Sequence, residues 1–204
     1  MKKLIVFLMA FQMFWAVSAF AANAGNPEAL VRQKTVQILS LLQKNRAEYK
    51  THPAMLYAMV QQRVLPYFDF DLMSRWVLGR YWQQATPQQR QAFIQQFRTL
   101  LVRTYATALM SYSGQRIIYL PFRGNLKGQT VTVRTLVQQD NGSPAVPVDY
   151  SFNKEPGGWK VYDVSIDRVS LVTNYRMTYS NKIQDQGLPA LISSMERVNA
   201  QYAR

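Results

Sequence analysis

Cysteine is absent from the 204 residues, and histidine occurs once, as His52. Without a thiol there is no disulfide framework, no thiol nucleophile and no thiolate metal site. A Ser-His-Asp arrangement needs a histidine beside a nucleophile, and His52 stands in Thr51-His52-Pro53, where starting a helix is the simpler role. Zinc or copper would have to rely on carboxylates, and the nearest pair, Asp69 and Asp71, stands where helix caps stand. No glycine-rich phosphate loop occurs, since Gly157-Gly158 lies between two strand candidates and does not open a helix. Carboxylates are scarce, 11 against 24 Lys plus Arg. One pair, Asp163 and Asp167, could point to one face of a strand at a spacing that glycoside hydrolysis uses. No third polar group is evident to raise one pKa, so a sheet-end Asp bonded to backbone amides is the preferred reading, and an exported hydrolase using this pair is the alternative.

Long apolar runs are also missing, except at the start. Lys2 and Lys3 precede the apolar stretch Leu4 to Val17, and Ala19-Phe20-Ala21 has the small-x-small spacing of a signal-peptidase site. The run is short and interrupted by Gln12, too little to span ~30 Å of hydrocarbon, so residues 1–21 read as a cleaved leader. Residues 22–204 then form one domain with a sizeable core, expected to be soluble in an oxidising compartment. Removing Lys2 and Lys3 lowers the net charge from +13 to +11. That excess points to an anionic partner. An exported protein meets little nucleic acid, and the cations are scattered singly from Arg32 to Arg204, so lipid surfaces or acidic protein faces fit better.

The periodicity divides into helices, a sheet and helices again. Asn26-Pro27 starts a helix expected to reach about Tyr49, and Pro53 starts a second that stops before Pro66. Asp69 or Asp71 caps a short aromatic helix ending toward Gly79. Thr86-Pro87-Gln88-Gln89 is a capping box opening a helix that carries Phe93, Phe97, Leu101 and Tyr105 and is expected to reach about Ser113. After Gly114 the period becomes two. Ile117 to Phe122, Val131 to Val137, Val146 to Phe152 and Trp159 to Ile166 are four strands, with turns at Gly124 to Gly128, Asp140-Asn141-Gly142 and Pro156-Gly157-Gly158. Short connections make an antiparallel meander, and helical spacing returns with Leu171, Val172, Tyr175 and Tyr179, then Leu188, Leu191, Ile192 and Met195. The fold class is α+β.

What the chain has in excess is rings, and composition alone assigns them to core. Their order carries more. Leu65-Pro66-Tyr67-Phe68, Leu78-Gly79-Arg80-Tyr81-Trp82 and Ala85-Thr86-Pro87-Gln88-Gln89-Arg90 come first, with Phe93 and Phe97 after them. Gly158-Trp159-Lys160-Val161-Tyr162-Asp163-Val164, Val169-Ser170-Leu171-Val172 with Asn174-Tyr175, and Gly187-Leu188 with Leu191 follow. This collinear set, from Asn26 to Met195, resembles the MlaC (toluene-tolerance) family of periplasmic phospholipid-binding proteins. Arg168 departs from that pattern, because the family usually has a small residue there, commonly glycine.

The resemblance implies sheet and helices enclosing an apolar pocket for acyl chains. It also implies a shuttle between an outer-membrane lipoprotein complex and an inner-membrane ABC transporter complex that maintains outer-membrane lipid asymmetry. Phospholipid is then the cargo, no cofactor or metal is implied, and the carrier is expected to be a monomeric non-enzyme. A structural adaptor without lipid is the further alternative. The residues expected to line the pocket are Phe68, Trp76, Tyr81, Phe93, Phe97, Leu101, Tyr105, Val133, Val146, Val148, Tyr150, Phe152, Val164 and Tyr175. Alternation of Val146, Val148, Tyr150 and Phe152 with Pro147, Asp149 and Ser151 turns the apolar set toward the helix of Phe93, Phe97 and Leu101, so the pocket is expected between those two surfaces.

Overall fold

A computed structural model describes residues 25–139 and 142–201. The expected leader, and Asp140 and Asn141 of one expected turn, lie outside the described residues. Helix α1 spans Pro27–Lys44, with the Asn26 side chain accepting from the backbone N–H groups of Glu28 and Ala29. The long first helix expected from the sequence is broken at Asn45, whose side-chain amide donates to the Leu41 carbonyl, and α2 resumes over Arg46–Thr51. An asparagine that satisfies a backbone carbonyl itself competes with helix propagation. Pro53 opens α3, Pro53–Arg63, and a single 3-10 turn follows at Leu65–Tyr67.

Asp69 caps α4, Phe70–Leu78, by accepting the Leu72 N–H at 2.9 Å. Gly79, at φ +53, separates it from α5, Arg80–Gln84. The capping box of Thr86 and Gln89 forms in both directions and opens α6, Pro87–Leu109. This helix stops a turn short of the expected Ser113, at a length of about 35 Å. The Arg46 guanidinium takes the carbonyls of Met110 and Tyr112 and so satisfies the helix end early.

Five antiparallel strands, β1 Ile117–Tyr119, β2 Thr130–Val137, β3 Val146–Glu155, β4 Gly158–Ile166 and β5 Val169–Ser170, lie in sequence order. The meander therefore has one strand more than the four expected. Asp167 and Arg168 both adopt left-handed backbone, φ 49 and 65, and their tight turn folds Val169–Ser170 back along Ser165–Ile166. Arg168 thus takes up a conformation that glycine adopts without steric cost. Register shifts between β3 and β4 at Ser151/Phe152, leaving Tyr162 as the extra residue of a bulge. That bulge keeps Trp159 and Val161 on the same face as Val164 and Ile166, where a strict alternation would have turned the second pair away.

The last helix, α7, spans Leu171–Gln201 and is interrupted at Gly187, φ 81 and ψ 161, just before Pro189. Two apolar clusters result. The helical cluster joins α3, α4, α6 and α7, and the sheet cluster joins Val31 of α1 to Val131, Val133, Phe152, Trp159, Val161 and Val164. Phe68 packs against both, and its backbone forms a parallel bridge to Val161. Among the described residues no helix is long and apolar enough to cross a membrane.

Candidate functional site

The strand registers gather Tyr119, Val133, Thr135, Val148, Tyr150, Phe152, Val161, Val164 and Ile166 onto one face of the sheet. The opposite face carries Arg134, Asp149, Ser151, Asn153 and Lys160. The apolar face is not uniformly closed. Val131, Val133, Phe152 and Val161 are buried, while Tyr119, Val148, Tyr150 and Ile166 remain half-buried, as do Leu30, Phe68, Phe122 and Leu171 packed beside them.

Tyr150 is the most telling of these. Burial, and secondarily the Tyr119 phenol, pushes its own phenol up to about 12, yet part of its surface stays accessible. Its ring is thus enclosed without being fully closed off, among neighbours that are half-buried as well. Thr135, the polar residue of this face, spends its hydroxyl on the Val148 carbonyl at 2.7 Å, so the face offers hydrocarbon few free polar groups.

The α6 rings lie elsewhere. Phe93 and Phe97 are fully buried and stacked at 5.6 Å, and the Phe97 and Phe93 rings meet Tyr175 and Tyr179 of α7 edge-on at 5.2 and 5.9 Å. Leu101 and Val102 close the same cluster, with Tyr105 and Tyr81 partly buried against it. Tyr105 and Tyr179 have phenols raised above the ordinary range, by burial first and by Tyr175 second. The expected arrangement of β3 facing α6 is thus corrected. The tyrosines of α7 already occupy the aromatic side of α6, and the apolar face of the sheet shares its cluster with Leu30 and Val31 of α1 instead.

Of the residues expected together, Phe68, Val133, Val148, Tyr150, Phe152 and Val164 belong to the sheet cluster. Val146 shares their face by register. Tyr81, Phe93, Phe97, Leu101, Tyr105 and Tyr175 belong to the helical one. Trp76 belongs to neither and is half-exposed, because α4 buries Phe70, Met73, Ser74, Val77 and Leu78 and turns position 76 away from that stripe. Sequence reasoning missed Leu30, Tyr119, Phe122, Ile166 and Leu171 as members of the half-open surface.

The carboxylates have other duties. Asp163 accepts the Ser170 hydroxyl at 2.6 Å through one oxygen and the Val172 N–H at 3.1 Å through the other, so it anchors the start of α7. Asp167 sits in the left-handed turn. Glu155 is held above the usual carboxyl range by a hydrogen bond with Asp69, then by burial, against the opposing Lys160 at 3.3 Å. His52 faces Thr51 at the exposed junction of α2 and α3. Among the described residues no three of His, Cys, Asp and Glu cluster as metal ligands. Two open depressions lie on the helices, one of about 580 Å³ lined by Thr173, Arg176, Met177, Ser180 and Asn181, the other of about 290 Å³ lined by Gln61, Gln95, Arg98, Thr99 and Val102.

A family whose description is MlaC protein matches residues 32–197. The chain is 27% identical over 203 residues to the intermembrane phospholipid transport system binding protein MlaC of Haemophilus influenzae, covering 98% of this chain and 95% of that one. It is 28% identical over 187 residues to the toluene tolerance protein ttg2D of Pseudomonas putida, covering 91% and 83%. A solved structure of the phospholipid-binding protein from Ralstonia solanacearum, in complex with a phospholipid, superposes with a TM-score of 0.79 at 32% identity. It covers 87% of this chain and 98% of that chain.

Proposed function

The chain belongs to the MlaC family, and from that premise we propose that it is a periplasmic carrier that binds phospholipid by its acyl chains and performs no covalent chemistry. The observation that carries this reading is the half-open apolar face around Tyr150, in a chain that resembles a phospholipid-bound structure along nearly its whole length. Tails leaving a bilayer cost about 0.8 kcal/mol per exposed methylene, so ten methylenes amount to ~8 kcal/mol that a carrier must offset by enclosure. Val148 and Tyr150 offer apolar surface to them, with Val133, Phe152 and Val164 packed behind, and Phe68 is the wall that leads to the helical half.

In this reading the leader is removed before Ala22, and the remaining chain works as one monomeric domain. It carries lipid between an outer-membrane lipoprotein complex and an inner-membrane ABC transporter complex and so maintains outer-membrane lipid asymmetry. Cations border this face, with the Arg32 guanidinium 4.1 Å from the Tyr119 ring centroid and the Lys154 ammonium 5.6 Å from that of Trp159.

Native mass spectrometry of protein purified without detergent tests this. The expected result is a phospholipid adduct whose lipid is recovered intact after incubation. A bare mass would favour an adaptor, and lipid turnover that disappears in Asp163→Asn would favour an enzyme.

A further inference from the structure

The corner where α4, α5 and α7 meet concentrates positive charge and exposed apolar surface that the cargo site does not use. Trp76 is 50% exposed and Met177 60% exposed. One turn beyond Trp76, the Arg176 guanidinium lies over Gly79, within 3.1 Å of where a Cβ there would stand, so α7 brings its charge to the α4–α5 junction. Arg176 and Met177 also line the open depression of about 580 Å³, beside Thr173 and Ser180. Close by, the guanidinium groups of Arg75 and Arg90 approach the Trp82 ring at 5.8 and 5.1 Å, and Arg80 lies 5.0 Å from the Tyr81 ring.

Among the described residues these cations have no carboxylate within ion-pair distance. The ion pairs among the described residues are Arg32 with Glu28 and Lys160 with Glu155, and Asp71, a turn before Arg75, pairs with none of them. Like charges gathered this way repel one another, and an external anionic surface would relieve that repulsion. Protein hot spots also use Trp and Arg, so an acidic protein face is the rival occupant. A field of one sign beside an exposed indole suits a diffuse sheet of phosphates, since indoles settle at the headgroup level and each nearby Arg contributes to attraction.

We propose that this corner is a docking surface for an anionic phospholipid bilayer, with Trp76 and Met177 entering the headgroup region and Arg80 and Arg176 meeting lipid phosphates. The inference does not depend on where the cargo is held. Its test is flotation of the purified protein with vesicles of phosphatidylglycerol and phosphatidylcholine, against pure phosphatidylcholine, at low salt.

The expected result is binding to the anionic vesicles alone, weakening as salt rises because exposed charges are screened beyond ~10 Å at 0.1 M. Arg80→Gln with Arg176→Gln is expected to lower binding about 25-fold, roughly fivefold for each arginine. Trp76→Ala is expected to lower it further at unchanged charge. Lys44→Gln with Lys50→Gln removes the same charge from the far end of α1 and α2 and should leave most binding intact. Equal loss in that control, or no binding to anionic vesicles, overturns the proposal. So does an acidic protein partner whose capture, without vesicles, depends on Arg80 and Arg176. Native mass spectrometry of the same preparations reads the cargo separately, so a failed docking surface and a failed carrier give different results.

Discussion

Phe97 of α6 and Tyr150 of β3 are both rings near the centre of an apolar cluster, but their surroundings close to different degrees. Phe97 has no exposed surface and is held by a ring above, a ring beside and a tyrosine edge. Tyr150 is enclosed deeply enough to shift its phenol and still keeps accessible surface, among neighbours that are half-buried themselves. Both clusters come from the same residue types. What separates them is what each packs against: α6 meets a helix with matching rings, whereas the sheet cluster takes Val31 and part of Leu30 from α1 and is otherwise edged by half-buried Phe68, Phe122 and Leu171. The helical half is closed, and the sheet half keeps the accessible apolar surface that the proposed cargo site would use.

The largest effect should come from Phe97→Ala. It empties a closed site and is expected to cost about 3–5 kcal/mol, read as a lowered denaturation midpoint, with the lipid content of the folded fraction unchanged. Lost lipid at unchanged stability would reverse the roles of the two halves. Val148→Asp attacks the other side. In a closed core an unpaired carboxylate would cost several kcal/mol and unfold the domain. At the half-open Val148 water can reach the charge, so the expected product is a folded protein with native circular dichroism and a cooperative melt that purifies without lipid. Unfolding would make the sheet face ordinary core.

Alkaline titration sharpens the contrast more gently. A phenol whose pKa is higher in the folded state than its ordinary 10 contributes stability that is intact below pH 10. That contribution falls as pH rises toward the folded value, about 12 for Tyr150, by at most about 1.4 kcal/mol per pH unit. Tyr150→Phe should flatten part of this decline in denaturant melts between pH 10 and 12. Lipid loading should alter the Tyr150 share and leave that of Tyr179 in place. The smallest effect is expected of Arg168→Gly, which relieves a left-handed arginine in the β4–β5 turn. It should raise the melting midpoint slightly, by the equivalent of no more than about 1 kcal/mol, without changing lipid content.

Local rules made much of the fold legible. The reciprocal cap at Thr86 and Gln89, the proline starts at Pro27, Pro53 and Pro87, and the glycine turn between β3 and β4 formed where their chemistry placed them. The bulge at Tyr162 was illegible because apolar residues at 159, 161, 164 and 166 fit no single period, and only the register with β3 reconciles them. The exposure of Trp76 was legible from spacing. Phe70, Met73 and Val77 define a helical stripe that leaves position 76 outside, whatever the aromatic character of its side chain. The pairing of α6 with α7 could not be found at all from periodicity, which says that a helix has a buried face and not which element buries it.

The joint at Gly187 bears on the order in which the molecule can assemble. Past it, Leu188, Leu191, Ile192 and Met195 return to the helical cluster, and Asn199 reaches across to the backbone carbonyl and side chain of Gln96 at 3.0 and 2.8 Å. The sheet, by contrast, is complete at Ser170. A chain made and delivered from its N-terminus can therefore set every strand register while α6 still has one flank exposed. Tyr175 and Tyr179 meet the Phe93 and Phe97 rings before the joint, and the residues past it add the remaining flank of that cluster. A truncation before Leu188 should consequently spare the sheet's hydrogen-exchange protection and lower that of α6.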